Sequence, residues 1–223
     1  MKNILHVIII SLFSLTVISC SSSSDSKTTT DNTTTTSSGL FVAVGDNGTI
    51  LTSTDGTTWD NRSYETPSRL RAITYANSTF MTVGYLDEII LSSSDGITWD
   101  NKRSGTGNLR GVAYGDDKFV VVGLSGHIST SSDGTSWDNR TSGTTKELYG
   151  VNYINNQFVA VGDNGTILTS SDAISWDNRT IAGQSNYLYH VAYGNNKYVA
   201  VGGNGWIVTS SDGISWDNAS SGT

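Results

Sequence analysis

From residue 40 onward the chain alternates short apolar runs with short polar ones on a fixed beat. The stretches FVAVG from Phe41, FMTVG from Phe80, FVVVG from Phe119, FVAVG from Phe158 and YVAVG from Tyr198 begin 39, 39, 39 and 40 residues apart. Between them lie LRAITYA from Leu70, LRGVAYG from Leu109, LYGVNYI from Leu148 and LYHVAYG from Leu188. Each unit therefore holds four runs rich in Val, Ile, Thr and aromatic residues, the composition of β-strands, separated by turn residues. Asn47-Gly48, Asn164-Gly165 and Asn204-Gly205 supply the positive φ angles of tight turns after the second run. That run is apolar at successive positions, so both of its faces must be covered, whereas a strand with one wet face alternates.

A sheet sandwiched between two like sheets meets this demand. Four strands in about 40 residues, repeated five times, predict an all-β, five-bladed β-propeller over residues 40–223. One count does not close, because residues 40–223 number 184, 11 fewer than five units of 39 require. The missing piece is the innermost strand ahead of Phe41. Thr33–Ser38 supplies a poor substitute, or one blade has three strands, or the ring is open and pairs with a partner. A closed ring with a defective first blade is favoured, since a bare inner edge invites aggregation.

The last turn of each unit reads Ser53-Thr54-Asp55-Gly56-Thr57-Thr58-Trp59 in the first copy, with four variants after it. It resembles the Asp-box of sialidase-like, or BNR-repeat, propellers, shortened by one residue, and Ala173 replaces its Gly in the fourth copy. The whole units resemble repeats of photosystem II stability/assembly-factor-like propellers. These resemblances imply the propeller fold and little about function. They also imply that Asp55, Asp95, Asp133, Asp172 and Asp212 staple turns. Trp59, Trp99, Trp137, Trp176 and Trp216 are expected to pack between blades. Five identical acids are a scaffold feature, since one reaction centre does not need five.

Ahead of the repeats, residues 1–19 carry Lys2, an apolar run from Ile4 to Ile18 and then Ser19-Cys20. The run is shorter than the ~20 residues that span a bilayer and has a signal-peptide layout. With the sole cysteine at its end it resembles a bacterial lipobox, which implies cleavage before Cys20 and lipidation of that residue. Residues 20–39 then form a lipidated cysteine and a Ser/Thr tether, with no apolar side chain between Ser21 and Ser38. Such a segment cannot offset its ordering entropy by burial. The expected location is the bacterial cell envelope, anchored by lipid, with the outer membrane favoured because Ser21 is not Asp.

Composition narrows the function. Thirteen Lys and Arg stand against 20 Asp and Glu, a net charge of −7, which disfavours nucleic acid as a partner. One cysteine and three histidines exclude a disulfide framework and a Cys/His zinc site, and no cofactor signature is present.

A site should appear where the copies differ. After the second strand, Thr49 and Thr166 are replaced by Glu88, His127 and Trp206. Around the start of the innermost strand come Arg71, Arg110, Glu147, Tyr149, Tyr187, Tyr189 and His190. Trp, Tyr and Arg dominate recognition surfaces, so these ten residues are the candidate ligand-binding set. The reading is a non-catalytic envelope module binding a protein or glycan, with a homo-oligomer if the ring is open. A passive surface protein is one alternative. A sialidase-like enzyme is the other, with Arg71, Arg110 and Arg69 or Arg103 as the arginine cluster beside Tyr149, Glu147 and Asp87. The Arg-Ile-Pro signature of that family is absent, and catalysis is disfavoured.

Overall fold

The computed structural model describes residues 9–10, 15–19, 39–86, 88–103 and 107–219, and contains no α-helix among them. The first sheet runs β1 (Ile9–Ile10), β2 (Leu15–Ser19), β3 (Phe41–Val44), β4 (Ile50–Ser53) and β5 (Asp60–Asn61). The second is β6 (Arg69–Ala76), β7 (Thr79–Tyr85), β8 (Ile90–Ser93) and β9 (Asp100–Arg103). The third is β10 (Leu109–Gly115), β11 (Lys118–Gly123), β12 (Ile128–Ser131) and β13 (Asp138–Arg140). The fourth is β14 (Leu148–Ile154), β15 (Gln157–Gly162), β16 (Ile167–Ser170) and β17 (Asp177–Asn178). The fifth is β18 (Leu188–Gly194), β19 (Lys197–Gly202), β20 (Ile207–Ser210) and β21 (Asp217–Ala219). Strand order follows the chain in every sheet and neighbouring strands pair antiparallel, so each repeat folds as one blade.

The core lies between blades. Val159, Val161 and Ile167 of the fourth blade pack on Leu188, Val191, Tyr198, Ala200 and Val208 of the fifth. The other side of the fourth blade, Phe158, Ala160 and Leu168, packs on Val120, Val122 and Ile128 of the third. This is why the second run is apolar at successive positions: its odd residues serve one joint and its even residues the other. Each of the Val, Leu, Ile and Phe side chains contributes about 1.5–3 kcal/mol on full burial.

Four hydrophobic clusters occupy the four joints from the first blade to the fifth, and the innermost strands pack in series. No cluster among the described residues joins the fifth blade to the first. Val201 is 38% exposed where its counterpart Val161 is fully buried. Among the described residues the joint that would close the expected ring is thus not formed, and the described blades make an open arc. The first repeat supplies only three strands of its own, as the residue count requires. The innermost place beside β3 is held by β2, from upstream of the tether, with Ser19 opposite Phe41 and Thr16 opposite Val44. Thr33–Ser38, Cys20 and the tether lie outside the described residues. No helix of the described residues is long and apolar enough to cross a membrane.

In all five Ser-x-Asp turns the Asp carboxylate accepts from the two backbone N–H groups that follow at i+2 and i+3. In the third blade Asp133 Oδ1 accepts from the backbone N–H of Thr135 at 2.7 Å and Ser136 at 2.8 Å. Ser131, buried at the strand end, donates to Asp133 and accepts from Gly134 N–H at 2.8 Å. The bonds hold the carboxylates below the usual range, Asp95 at about 2 through Thr98 and Ile97 N–H first. The residue after Asp is left-handed, φ 72° at Gly134, and Ala173 takes the same conformation at φ 64°. Trp99 and Trp216 donate to the carbonyls of Gly96 and Gly213. Each acid thus closes its own turn, and Trp99, Trp137, Trp176 and Trp216 pack at the joints, whereas Trp59 stands outside all four clusters at the free end of the first blade.

Candidate functional site

Every complete blade carries a β-bulge at the same place in its innermost strand. The register slips between Leu70 and Ala72, Leu109 and Gly111, Leu148 and Gly150, and Leu188 and His190. The residues passed over are Arg71, Arg110, Tyr149 and Tyr189. A bulge takes its extra residue off the ladder and re-aims the side chain, so one device repeated four times presents two arginines and two tyrosines on adjacent blades.

These side chains join into a stripe from blade two to blade five. The Arg110 guanidinium lies 5.0 Å from the ring centre of Tyr85 and 5.2 Å from that of Tyr149, a cation–π contact on each side. Its Nη2 is 3.4 Å from Glu147 Oε2. Tyr149 meets Tyr187 edge-on at 5.9 Å and Tyr189 at 5.4 Å, and Tyr187 stacks on Tyr189 at 6.2 Å. Tyr187 and Tyr189 remain 44% and 50% exposed. Arg71 continues the stripe, 3.8 Å from Asp46 and within electrostatic reach of Arg110 and Arg69.

Backbone packing sets this arrangement. Gly123, Gly162 and Gly202 end the second strands where the carbonyls of Asn108, Glu147 and Tyr187 pass too close for a Cβ. The residue before each innermost strand is thereby pinned at the rim, which brings Glu147 beside Arg110 and Tyr187 beside Tyr149.

Six of the ten sequence-derived candidates, Arg71, Arg110, Glu147, Tyr149, Tyr187 and Tyr189, come together here. The structure adds Tyr85, which lies in the divergent turn Tyr85-Leu86-Asp87-Glu88 of the second copy but outside the ten candidates. His190 follows the bulge and is half-buried, and burial pushes its pKa down.

Glu88, His127 and Trp206 are turned elsewhere. Glu88 is only 7% exposed, with Oε1 3.5 Å from His127 Nε2 across the joint between blades two and three. Ser129 donates its one proton to Asn139 Oδ1 at 2.7 Å, so it accepts from His127 Nε2 at 2.9 Å. Ser129 is fully buried and shares one ring nitrogen with Glu88, so the three are not a Ser-His-acid relay. Trp206 donates to Asn218 Oδ1 at 2.8 Å and packs on the joint between blades four and five. Thr49 and Thr166, at the equivalent position, bond instead to the carbonyls of Asp46 and Asp163.

The Tyr149 hydroxyl is raised above its ordinary pKa, by burial first and then by a hydrogen bond to Glu147. A tyrosine nucleophile needs the opposite shift. Asp87 and the Arg103 side chain lie outside the described residues. Among the described residues no group of three or more His, Cys, Asp or Glu could hold a metal ion.

Comparison with solved structures places this geometry. A structure of YCF48 bound to D1 peptide matches 95% of this chain and 74% of its own, with a TM-score of 0.63 and 18% identity. The fold is a β-propeller. Virginiamycin B lyase from Staphylococcus aureus matches 82% of this chain and 67% of its own, at a TM-score of 0.74 and 11% identity. The WD40 β-propeller domain of Doa1 matches 81% of this chain and 64% of its own, at 0.63 and 14%. At such identities the likeness is one of fold. One of these propellers was solved with a peptide bound, one is a WD40 domain and one is a lyase, so the fold alone does not decide catalysis. No protein-family model and no curated protein matches the sequence.

Proposed function

We propose that this propeller is a non-catalytic recognition module that binds a protein segment along the stripe from Tyr85 through Arg110 and Tyr149 to Tyr187 and Tyr189. The observation that carries the reading is the repeated bulge, which aims Arg and Tyr side chains from successive blades at one rim. Arginine held between two rings and exposed tyrosines beside it have the composition of binding hot spots. The rings lie at angles from stacked to edge-on, which suits varied side chains better than one flat sugar. A propeller of like fold has been solved with a peptide bound. The raised Tyr149 pKa counts against a sialidase-like reaction at the same residues.

The lipobox-like Ser19-Cys20 and the polar tether support a location at the bacterial envelope, and cleavage before Cys20 would then remove β2 and leave the first blade with its own three strands. Cys20→Ser should release the protein from the membrane fraction, and persistent membrane association overturns lipidation. For the site, crosslinked capture from intact cells compares the wild type with the Arg110→Ala, Tyr149→Ala, Tyr187→Ala triple variant. A partner captured only by the wild type supports the assignment, and identical capture by both removes it. A chromogenic glycoside panel completes the test, since hydrolysis by the wild type replaces this reading with an enzymatic one.

A further inference from the structure

The fifth blade ends the arc with a face that the inner blades bury. Val201 on that face is 38% exposed, and Val199, Ile207 and Thr209 are half-buried. Their counterparts Val161, Val159, Ile167 and Thr169 in the fourth blade are all at most 4% exposed. At the other end of the arc, Phe41 and Leu51 of the first blade are half-buried, whereas Phe158 and Leu168 of the fourth are fully buried.

The two ends carry the two halves of one internal joint. Between blades three and four, Val120, Val122 and Ile128 pack on Phe158, Ala160 and Leu168. The fifth blade offers Val199, Val201 and Ile207 at the first set of positions. The first blade offers Phe41 and Leu51 at the second, on either side of the already buried Ala43, and residues 41–53 are identical to residues 158–170. We propose that the open face of the fifth blade docks on the first blade of a second copy of this chain, head to tail, repeating the joint between blades three and four.

The fit runs through the second and third strands. At the innermost strand His190 stands where Gly111 and Gly150 let the following blade approach, and a Cβ on Gly150 would lie 2.5 Å from the Tyr189 carbonyl oxygen. The copies therefore meet around the His190 ring and not by close contact of innermost strands. The two faces are different, so the contact is heterologous, and each added copy leaves a free end.

Sedimentation velocity on the full chain tests this with two variants, Val201→Glu and Leu51→Glu. The wild type should sediment faster as its concentration rises, and each variant alone should remain monomeric. An equimolar mixture of the two should form a dimer of twice the monomer mass and nothing larger, because one compatible pair of ends survives. A wild type monomeric at every concentration overturns the proposal. So does a mixture that stays monomeric, or variants that associate like the wild type, which would place the contact elsewhere, for instance in the apolar leader. If either Glu variant loses its melting transition, Val201→Ser and Leu51→Ser make the same comparison.

Discussion

Arg110 of the third blade holds its Nη2 3.4 Å from Glu147 Oε2 of the fourth. Both side chains are partly solvated, 25% and 35% exposed, so the pair contributes at most about 1 kcal/mol to stability. Its larger effect is geometric, since it fixes the guanidinium between Tyr85 and Tyr149. Arg110→Ala should leave the melting temperature nearly unchanged while weakening partner binding about ten-fold, about 1.4 kcal/mol. Arg110→Lys should recover little of the loss, because an ammonium lacks the flat face that sits between two rings. Isothermal titration against the captured partner, beside a thermal melt, checks both.

The open joint has a stability signature. Val161 and Val201 occupy one position of the repeat, yet the first is fully buried and the second 38% exposed. Val161→Ala should cost about 2 kcal/mol from two buried methyl groups and the cavity they leave. Val201→Ala should cost less than half as much in dilute monomer. Urea denaturation of the two variants measures the difference, and equal costs would show that the fifth blade's face is covered.

Ser131 is the buried member of its turn, donating to Asp133 and accepting from Gly134 N–H. Ser131→Ala leaves that N–H without its acceptor and should cost about 1–2 kcal/mol. Equilibrium unfolding by urea reads it out.

Acid should weaken the fold in a defined window. Asp55, Asp95, Asp133, Asp172 and Asp212 are all held below the ordinary carboxylate pKa by backbone N–H bonds, Asp95 at about 2. A depressed folded pKa contributes stability that is present above the unfolded value, about 3.9, and lost as pH falls through the folded one. His190, lowered by burial, acts in the same direction from about pH 6.5 downward, because the unfolded chain binds its proton more readily. The melting temperature should fall gently below pH 6.5 and steeply between about pH 4 and 2. His190→Gln should remove the upper part of the slope and Asp95→Asn should reduce the lower part.

Much of the site was legible in the repeats, and its cause was visible too. Leu109 and Val112 face the same joint although two residues separate them, which strict alternation forbids. The Leu-x-x-Val spacing is thus the mark of the bulge, and the residue after each Leu is the one re-aimed. Variation among copies singled out Glu88, His127 and Trp206 equally well, yet those three turn into joints. A copy can differ because its neighbour differs as well as because a ligand is bound, and only coordinates separate the two. Tyr85 carries the same signal, since Asp46, Leu124, Asp163 and Gly203 stand at its position in the other copies, yet variation alone does not tell it from Leu124.

Sequence alone determined the strands, the turns and the number of blades, because each depends on contacts within about 40 residues: alternation, Asn-Gly chemistry and the Ser-x-Asp staple. Tertiary structure decided how the blades close and which rim residues meet. Closure depends on the angle between neighbouring blades, which side-chain packing at the joints sets and no single repeat encodes. The stripe from Tyr85 to Tyr189 depends on that same angle, since it is assembled from one or two residues of each blade. The open face at Val201 follows from it as well, where the last joint lacks the partner that the other four possess.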